Sequence, residues 1–182
     1  MKIIETGFVG LYIIQPRVYS DSRGYFFESY KHEDLLNAGI YFAPVQDNES
    51  KSLKGVIRGL HYQLNPFAQA KLIRVVVGKI YDVAVDLRAS SPTYGKWYGI
   101  ELDSENKTQF FIPKGFAHGF SVLSDTAVIQ YKCDNLYNPQ AERGISLKDP
   151  DLNIDWKTDG LIEIISEKDK KHPQLREVEN NF

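Results

Sequence analysis

The sequence predicts an all-β fold of the sandwich or barrel type. Three observations carry this: runs rich in β-branched and aromatic residues, period-two alternation within them, and Gly or Pro punctuation at roughly 8–12-residue intervals. Residues 31–38 are the one stretch of helical character before the tail, and Gly39 is placed to stop it as a C-cap. Residues 72–77 and 80–87 read as two strands joined by a tight turn at Gly78-Lys79. In the second strand Tyr81, Val83, Val85 and Leu87 share one face and Ile80, Asp82, Ala84 and Asp86 the other, which gives the sheet one greasier side. Residues 97–102 and 109–112 are further short strands. Pro113-Lys114-Gly115 breaks the chain before a strand at 116–123, and 127–133 follows with Ala127, Ile129, Tyr131 and Cys133 on one face. From about Asp149 the chain is charged and irregular, with a short helix expected near Lys168. An immunoglobulin-like sandwich is the bland alternative, and it lacks its cysteine pair here.

Composition narrows the function classes. With 182 residues the chain fits one domain, taken as residues 1–182, and folding buries about 70% of the unfolded surface, so no staple is needed. The single cysteine, Cys133, excludes an intrachain disulfide and suits a reducing cytoplasm, the expected location. A net charge of −2 argues against nucleic acid or a membrane surface as the main partner. No apolar run approaches the roughly 18 residues that span a bilayer, and Glu5 stands where a signal peptide would be apolar. Charged residues at 25% and hydrophobic ones at 42% are ordinary values that speak against disorder.

Four histidines carry most of the chemical interest. His32, in the helical segment, and His172, in the charged tail, are expected to be solvated. His61 closes Gly55-Val56-Ile57-Arg58-Gly59-Leu60-His61, and His118 closes Pro113-Lys114-Gly115-Phe116-Ala117-His118. These spacings, in this order in an all-β chain, resemble the two half-motifs of the cupin superfamily. The resemblance implies a cupin-type double-stranded jelly-roll barrel, with short peripheral helices, whose mouth holds both histidines. A metal cupin continues its first half-motif with His-x-His and a Glu, whereas here Gln63 and then Phe67-Ala68 occupy those places. Two imidazoles and an amide are a poor donor set for zinc or iron, so no metal ligands are expected.

Without a metal, His61 is free to act as a general base near neutral pH; the alternative is a hydrogen-bonded core histidine. Asp82, Asp86 and Asp169 are the carboxylates that could orient it. Lys71 shares parity with Ile73, Val75 and Val77 and so points inward with them. Arg58 and His61 lie three apart and have opposite parity in a regular strand. If both face one pocket, a bulge at Gly59 must shift the register.

With those residues collected, the chain closely resembles the dTDP-4-dehydrorhamnose 3,5-epimerase family. The likeness runs through Arg23-Gly24-Tyr25-Phe26-Phe27-Glu28, Gln46-Asp47-Asn48-Glu49-Ser50, Arg58-Gly59-Leu60-His61-Tyr62-Gln63, Lys71-Leu72, Asp82 to Arg88, Ser91-Pro92-Thr93-Tyr94-Gly95, Ile112 to Phe120, Tyr131-Lys132 and Ser166-Glu167-Lys168-Asp169. It implies a cofactor-free isomerase acting on a dTDP-linked 4-keto-6-deoxysugar, whose ketone acidifies the neighbouring C–H groups. His61 matches the general base and Asp169 its carboxylate, Lys71 the cation near the ketone oxygen, and Tyr131 the acid on the opposite face. Arg58 matches a diphosphate contact. Arg23, Glu28, Gln46 and Asn48 match thymidine contacts, and Tyr137 matches the ring that stacks on the base. His118, Glu142 and Lys168 match further substrate contacts, although His118 reads equally well as support for the His61 pocket. Glu28, taken alone, reads as a solvated acid at a strand edge. The resemblance further implies a homodimer joined through N-terminal strands, and apolar residues 7–14 would be a liability as a bare edge. The alternatives are a related 3- or 5-epimerase on another nucleotide-linked 4-keto-6-deoxysugar, a metal-dependent cupin enzyme, and a non-catalytic nucleotide-sugar or carbohydrate-binding module.

Overall fold

The computed structural model describes residues 1–182, and thirteen strands dominate it. In chain order these are β1 (Lys2–Glu5), β2 (Tyr12–Gln15), β3 (Val18–Asp21), β4 (Gly24–Phe27), β5 (Gln46–Leu53), β6 (Ile57–Gln63) and β7 (Lys71–Val77). They continue with β8 (Lys79–Asp86), β9 (Trp97–Asp103), β10 (Gln109–Ile112), β11 (Phe116–Val122), β12 (Thr126–Cys133) and β13 (Glu142–Gly144). Six form one sheet in the order β1-β2-β10-β7-β12-β5, and five form a second in the order β13-β6-β11-β8-β9. Strands β3 and β4 stand apart as a two-stranded hairpin.

The main core lies between the two large sheets. Ile73, Val75, Ala127 and Ile129 enter it from the six-stranded sheet, and Ile80, Ala84, Phe116, Phe120 and Val122 from the five-stranded one. Period-two alternation places them there, since these residues share the inward parity of their strands. The greasier face of β8 has a different fate. Tyr81, Val83, Val85 and Leu87 point away from the barrel and are buried by the tail, through Leu147, Leu152 and Trp156. Indole N–H groups fix this cover: Trp97 donates to the Leu152 carbonyl at 2.8 Å and Trp156 to that of Leu147 at 2.9 Å. The irregular segment after Asp149 is thus a structural lid on the outer face of a sheet.

Helix α1 (His32–Asn37) ends as the sequence predicts. Gly39 N–H bonds the Leu36 carbonyl and Ile40 N–H that of Leu35, the Schellman pattern, while Leu35 and Ile40 are buried together in a third cluster with Phe42. A 3-10 turn at Asp169–Lys171 realises the helix expected near Lys168.

Two expectations need correction. The turn at Gly78 does not join paired strands: β7 bonds β10 and β12, whereas β8 bonds β11 and β9, so the chain turns a corner from one sheet to the other. β-branched runs around a tight turn do not by themselves distinguish a hairpin from a corner. Residues 7–14 are not a bare edge strand either. Residues 12–14 belong to β2, which is paired on both sides by β1 and β10, and β1 forms the edge, while Leu11 is buried in the core.

Candidate active site

The inward faces of β6 and β11, across from β7 and β12, leave a polar cavity of about 510 Å³. It is lined by Arg58, His61, Lys71, His118, Tyr131, Lys168 and Asp169. A neighbouring recess shares His61, Lys71 and Tyr131 and adds Gln46, Asn48, Tyr137 and Glu142. Eleven of the thirteen residues singled out in the sequence therefore border one continuous groove.

The bulge expected if Arg58 and His61 face one pocket is present. His61 sits opposite His118 and Arg58 opposite Phe120, so three steps along β6 match two along β11. Gly59, between them, has φ +127°, and a Cβ there would come within 2.5 Å of the Gly119 Cα. Only glycine allows the two backbones this approach. The register shift brings Arg58 and His61 to the same cavity. Arg58 is further steadied by donating from Nε to Ser52 Oγ at 3.0 Å. Lys71 also lines the cavity as its parity requires, and burial pushes its pKa down, partly countered by the nearby Cys133, Asp82 and Glu142.

Of the three carboxylates considered for His61, Asp169 is the partner: His61 Nε2 lies 2.8 Å from its Oδ1. Burial works to raise the Asp169 pKa, but the hydrogen bond and charge of His61 overcome it and hold the group below the usual range. Asp82 and Asp86 are corrected. Asp82 lies on β8, which neighbours β11 and not β6, and it meets His118 Nε2 at 2.9 Å. Burial drives the Asp82 pKa up against the opposing pull of His118 and Lys71. Asp86 is held by Arg88, Ser91 and Thr93 at the loop after β8.

Tyr131 reaches the same cavity from the six-stranded sheet, opposite the sheet that bears His61. Burial is the main reason its phenol pKa is raised, so it stays protonated well past neutrality. Cys133, near Lys71, has its thiol pushed up to about 11, chiefly by burial, and is not poised as a nucleophile. At the outer end Tyr137 donates to Glu142 Oε2 at 2.7 Å and Lys168 Nζ lies 2.5 Å from the same oxygen. Gln46 donates to Asn48 Oδ1 at 2.9 Å and accepts from the Tyr137 N–H.

Gln63, at the metal-ligand place of the first half-motif, is occupied otherwise. Its amide donates to the carbonyls of Phe67 and Leu136 and accepts from the Asn138 N–H, tying down two loops. Arg23 and Glu28 do not join the groove within the chain. Arg23 is on the exposed β3–β4 hairpin, paired with Asp21, and Glu28 follows β4 beside a separate cavity lined by Arg17 and Tyr30.

One residue escaped the sequence reading. His172, expected to be solvated, has its side chain only 12% exposed, with Nε2 3.5 Å from Asp169 Oδ1. The signal was the i, i+3 spacing from Asp169, because a 3-10 turn superposes such side chains. Ligand atoms of His61, Asp169 and His172 lie within 4.8 Å of one another, the grouping best able to accept a cation.

Comparison with known proteins gives this geometry its context. The family profile described as dTDP-4-dehydrorhamnose 3,5-epimerase matches residues 5–177. A curated relative of that name from Methanothermobacter thermautotrophicus is 50% identical over 177 residues, covering 97% of this chain and 95% of that one. The crystal structure of dTDP-4-dehydrorhamnose 3,5-epimerase from Elizabethkingia anophelis is 51% identical with a TM-score of 0.92, covering 97% of each chain. That of dTDP-6-deoxy-D-glucose-3,5-epimerase from Legionella pneumophila, in complex with dTDP-4-keto-L-rhamnose, is 47% identical with a TM-score of 0.93, covering 98% of this chain and 94% of that one. Fold and relatives together define a cupin-type jelly-roll isomerase. The chain belongs to the dTDP-4-dehydrorhamnose 3,5-epimerase family.

Proposed function

We propose that the chain inverts C3 and C5 of dTDP-4-dehydro-6-deoxy-D-glucose to give dTDP-4-dehydro-L-rhamnose, using its own side chains to move the protons. The observation that carries this reading is that the His61–Asp169 pair and Tyr131 line one cavity from opposite sheets. Inversion requires a proton to leave one face of the ring and another to arrive on the other, so two separate groups are needed.

With Nε2 bonded to Asp169, Nδ1 is the His61 nitrogen left to accept a proton. The C–H bond next to the ketone breaks, its electrons pass into the C4 carbonyl, and the resulting enolate oxygen is met by the Lys71 ammonium. A cation in a partly dry pocket is worth more there than in water. Asp169 stabilises the imidazolium as it forms. Tyr131 then donates its phenolic proton to the carbon from the opposite face, and solvent restores both groups before the second centre reacts. Arg58 presents a fork of donors suited to the diphosphate. The amides of Gln46 and Asn48 suit the thymine carbonyls, Tyr137 offers a face for the base, and Glu142, Lys168 and His118 complete the rim.

Arg23 and Glu28 act on the groove of a second copy. Supporting this, the β3–β4 hairpin is solvent-facing and carries exposed Tyr19, Tyr25 and Phe26, a patch that a homodimer would cover.

The deciding experiment is incubation of the keto-sugar with the protein in D2O. Deuterium at both C3 and C5, with L-rhamnose configuration in the product, is the expected result. Label at one carbon only restricts the activity to a single-site epimerase, and label at neither refutes the reading. Light scattering tests the second copy: a monomer removes it.

A further inference from the structure

His172 sits in a slot built for it. Its ring lies directly over Gly144, where a Cβ would come within 2.4 Å of Nε2, so no other residue type leaves room at that place. Gly144 is the β13 residue paired with His61, which puts the two imidazoles edge to face with centroids 5.5 Å apart. The next residue, Pro173, accepts the Ser146 N–H at 2.8 Å and pins the segment to the sheet. Inside the slot His172 Nε2 is buried without a hydrogen-bonded partner, and Asp169 Oδ1 lies 3.5 Å from it. A small rotation closes that bond, and contacts of this kind tighten when substrate fills a site. Asp169 needs such a donor: beyond His61, its carboxylate is met only by the Gly59 N–H, at 3.5 Å.

We infer that His172 is a positioning residue for the proposed proton transfers, holding the Asp169 carboxylate against His61 by donating Nε2–H to the shared oxygen. This rests on the reading of His61 and Asp169 as the basic pair. The charged and titratable groups facing His172 are Asp169 and Lys168 on its own turn, His61 on β6 and Glu142 on β13. Burial first, and the neighbouring His61 second, favour the uncharged form of His172. A neutral donor steadies the carboxylate without neutralising it, so the charge that Asp169 offers the imidazolium is preserved.

The test compares wild type with His172→Gln, which keeps an N–H donor, and His172→Phe, which fills the slot without one. Thermal unfolding accompanies each. Nitrogen-15 NMR of the imidazoles reads the His61 tautomer without substrate. The minor tautomer is expected to rise at least fivefold in His172→Phe and to stay near wild type in His172→Gln. In turnover, kcat falls about fivefold for the Phe variant with KM within twofold, and the Gln variant recovers most of it. A Phe variant matching wild type in tautomer ratio and kcat overturns the inference, because packing alone then suffices. Should wild type fail to turn over the keto-sugar, the function is refuted, while the tautomer comparison still decides the role of His172.

Discussion

Replacing Asp169 by Asn keeps the size of the side chain and a hydrogen-bond acceptor while removing the charge. In the native protein Asp169 Oδ1 lies 2.8 Å from His61 Nε2, and the carboxylate is only 5% exposed. In the proposed step His61 takes a proton from the sugar, and the two groups become an ion pair whose charge centres are roughly 4 Å apart. At an effective dielectric of about 20 their attraction is about 4 kcal/mol. Each 1.36 kcal/mol of barrier is tenfold in rate, so kcat drops about a thousandfold. The His61 side chain is 31% exposed, and solvent screening trims the loss toward a hundredfold. Steady-state turnover of the keto-sugar, with deuterium wash-in at C3 and C5 followed separately, measures it. Both exchange rates are expected to fall together, with KM little changed because Asp169 meets the base and not the nucleotide. An Asp169→Asn enzyme within threefold of wild type would show that the pair does not stabilise the transition state.

Tyr131→Phe removes the proposed opposite-face acid, so conversion is expected to slow by about 10²–10⁴-fold. Exchange of substrate deuterium persists more strongly than inversion, because His61 can trade the deuteron it took with solvent and return a proton to the same face; equal loss of both contradicts separate roles. Gly59→Ala forces a Cβ to within 2.5 Å of the Gly119 Cα and holds alanine at φ +127°. It is expected to cost roughly 3 kcal/mol, a melting-temperature drop of about 6–12 °C, and to lower activity as Arg58 and His61 part. Asp86, near the barrel edge, is opposed by burial, but the bonds from Arg88, Ser91 and Thr93 carry it down to about 2 from an ordinary 3.8. A lowered folded-state pKa contributes stability above the unfolded value, here about 2 kcal/mol, lost as pH falls from about 4 to 2. Chemical denaturation of wild type and Asp86→Asn across that range should therefore converge at the acid end, and parallel curves contradict the assignment.

The groove was legible where strand periodicity governed it. Parity put Lys71 inward and required a break at Gly59 if Arg58 and His61 were to share a pocket, and the paired half-motifs put His61 and His118 together at the barrel mouth, where they are paired. Periodicity says which way a side chain points, but not which strand lies next to it. That is why Asp82 could be considered for His61, although the order β6-β11-β8 delivers it to His118. The corner at Gly78 was opaque for the same reason. His172 was missed because charge and irregular pattern suggested solvent, while long-range packing of the tail decides its burial. Arg23 and Glu28 were collected from a motif that ignores how far a hairpin projects from its own barrel.

The covering segment after Asp149 brings Asp169 as well as apolar cover to the barrel. His61, Lys71 and Tyr131 are synthesised before Asp169, so a nascent chain holds the proposed base, cation and acid while the carboxylate that meets His61 is still unmade. In the proposed mechanism the basic pair is therefore complete only once residue 169 has been added. A nick between the barrel and Asp169 would remove the proposed partner of His61 if the severed piece drifted away, making turnover a sensitive report on the integrity of this covering segment.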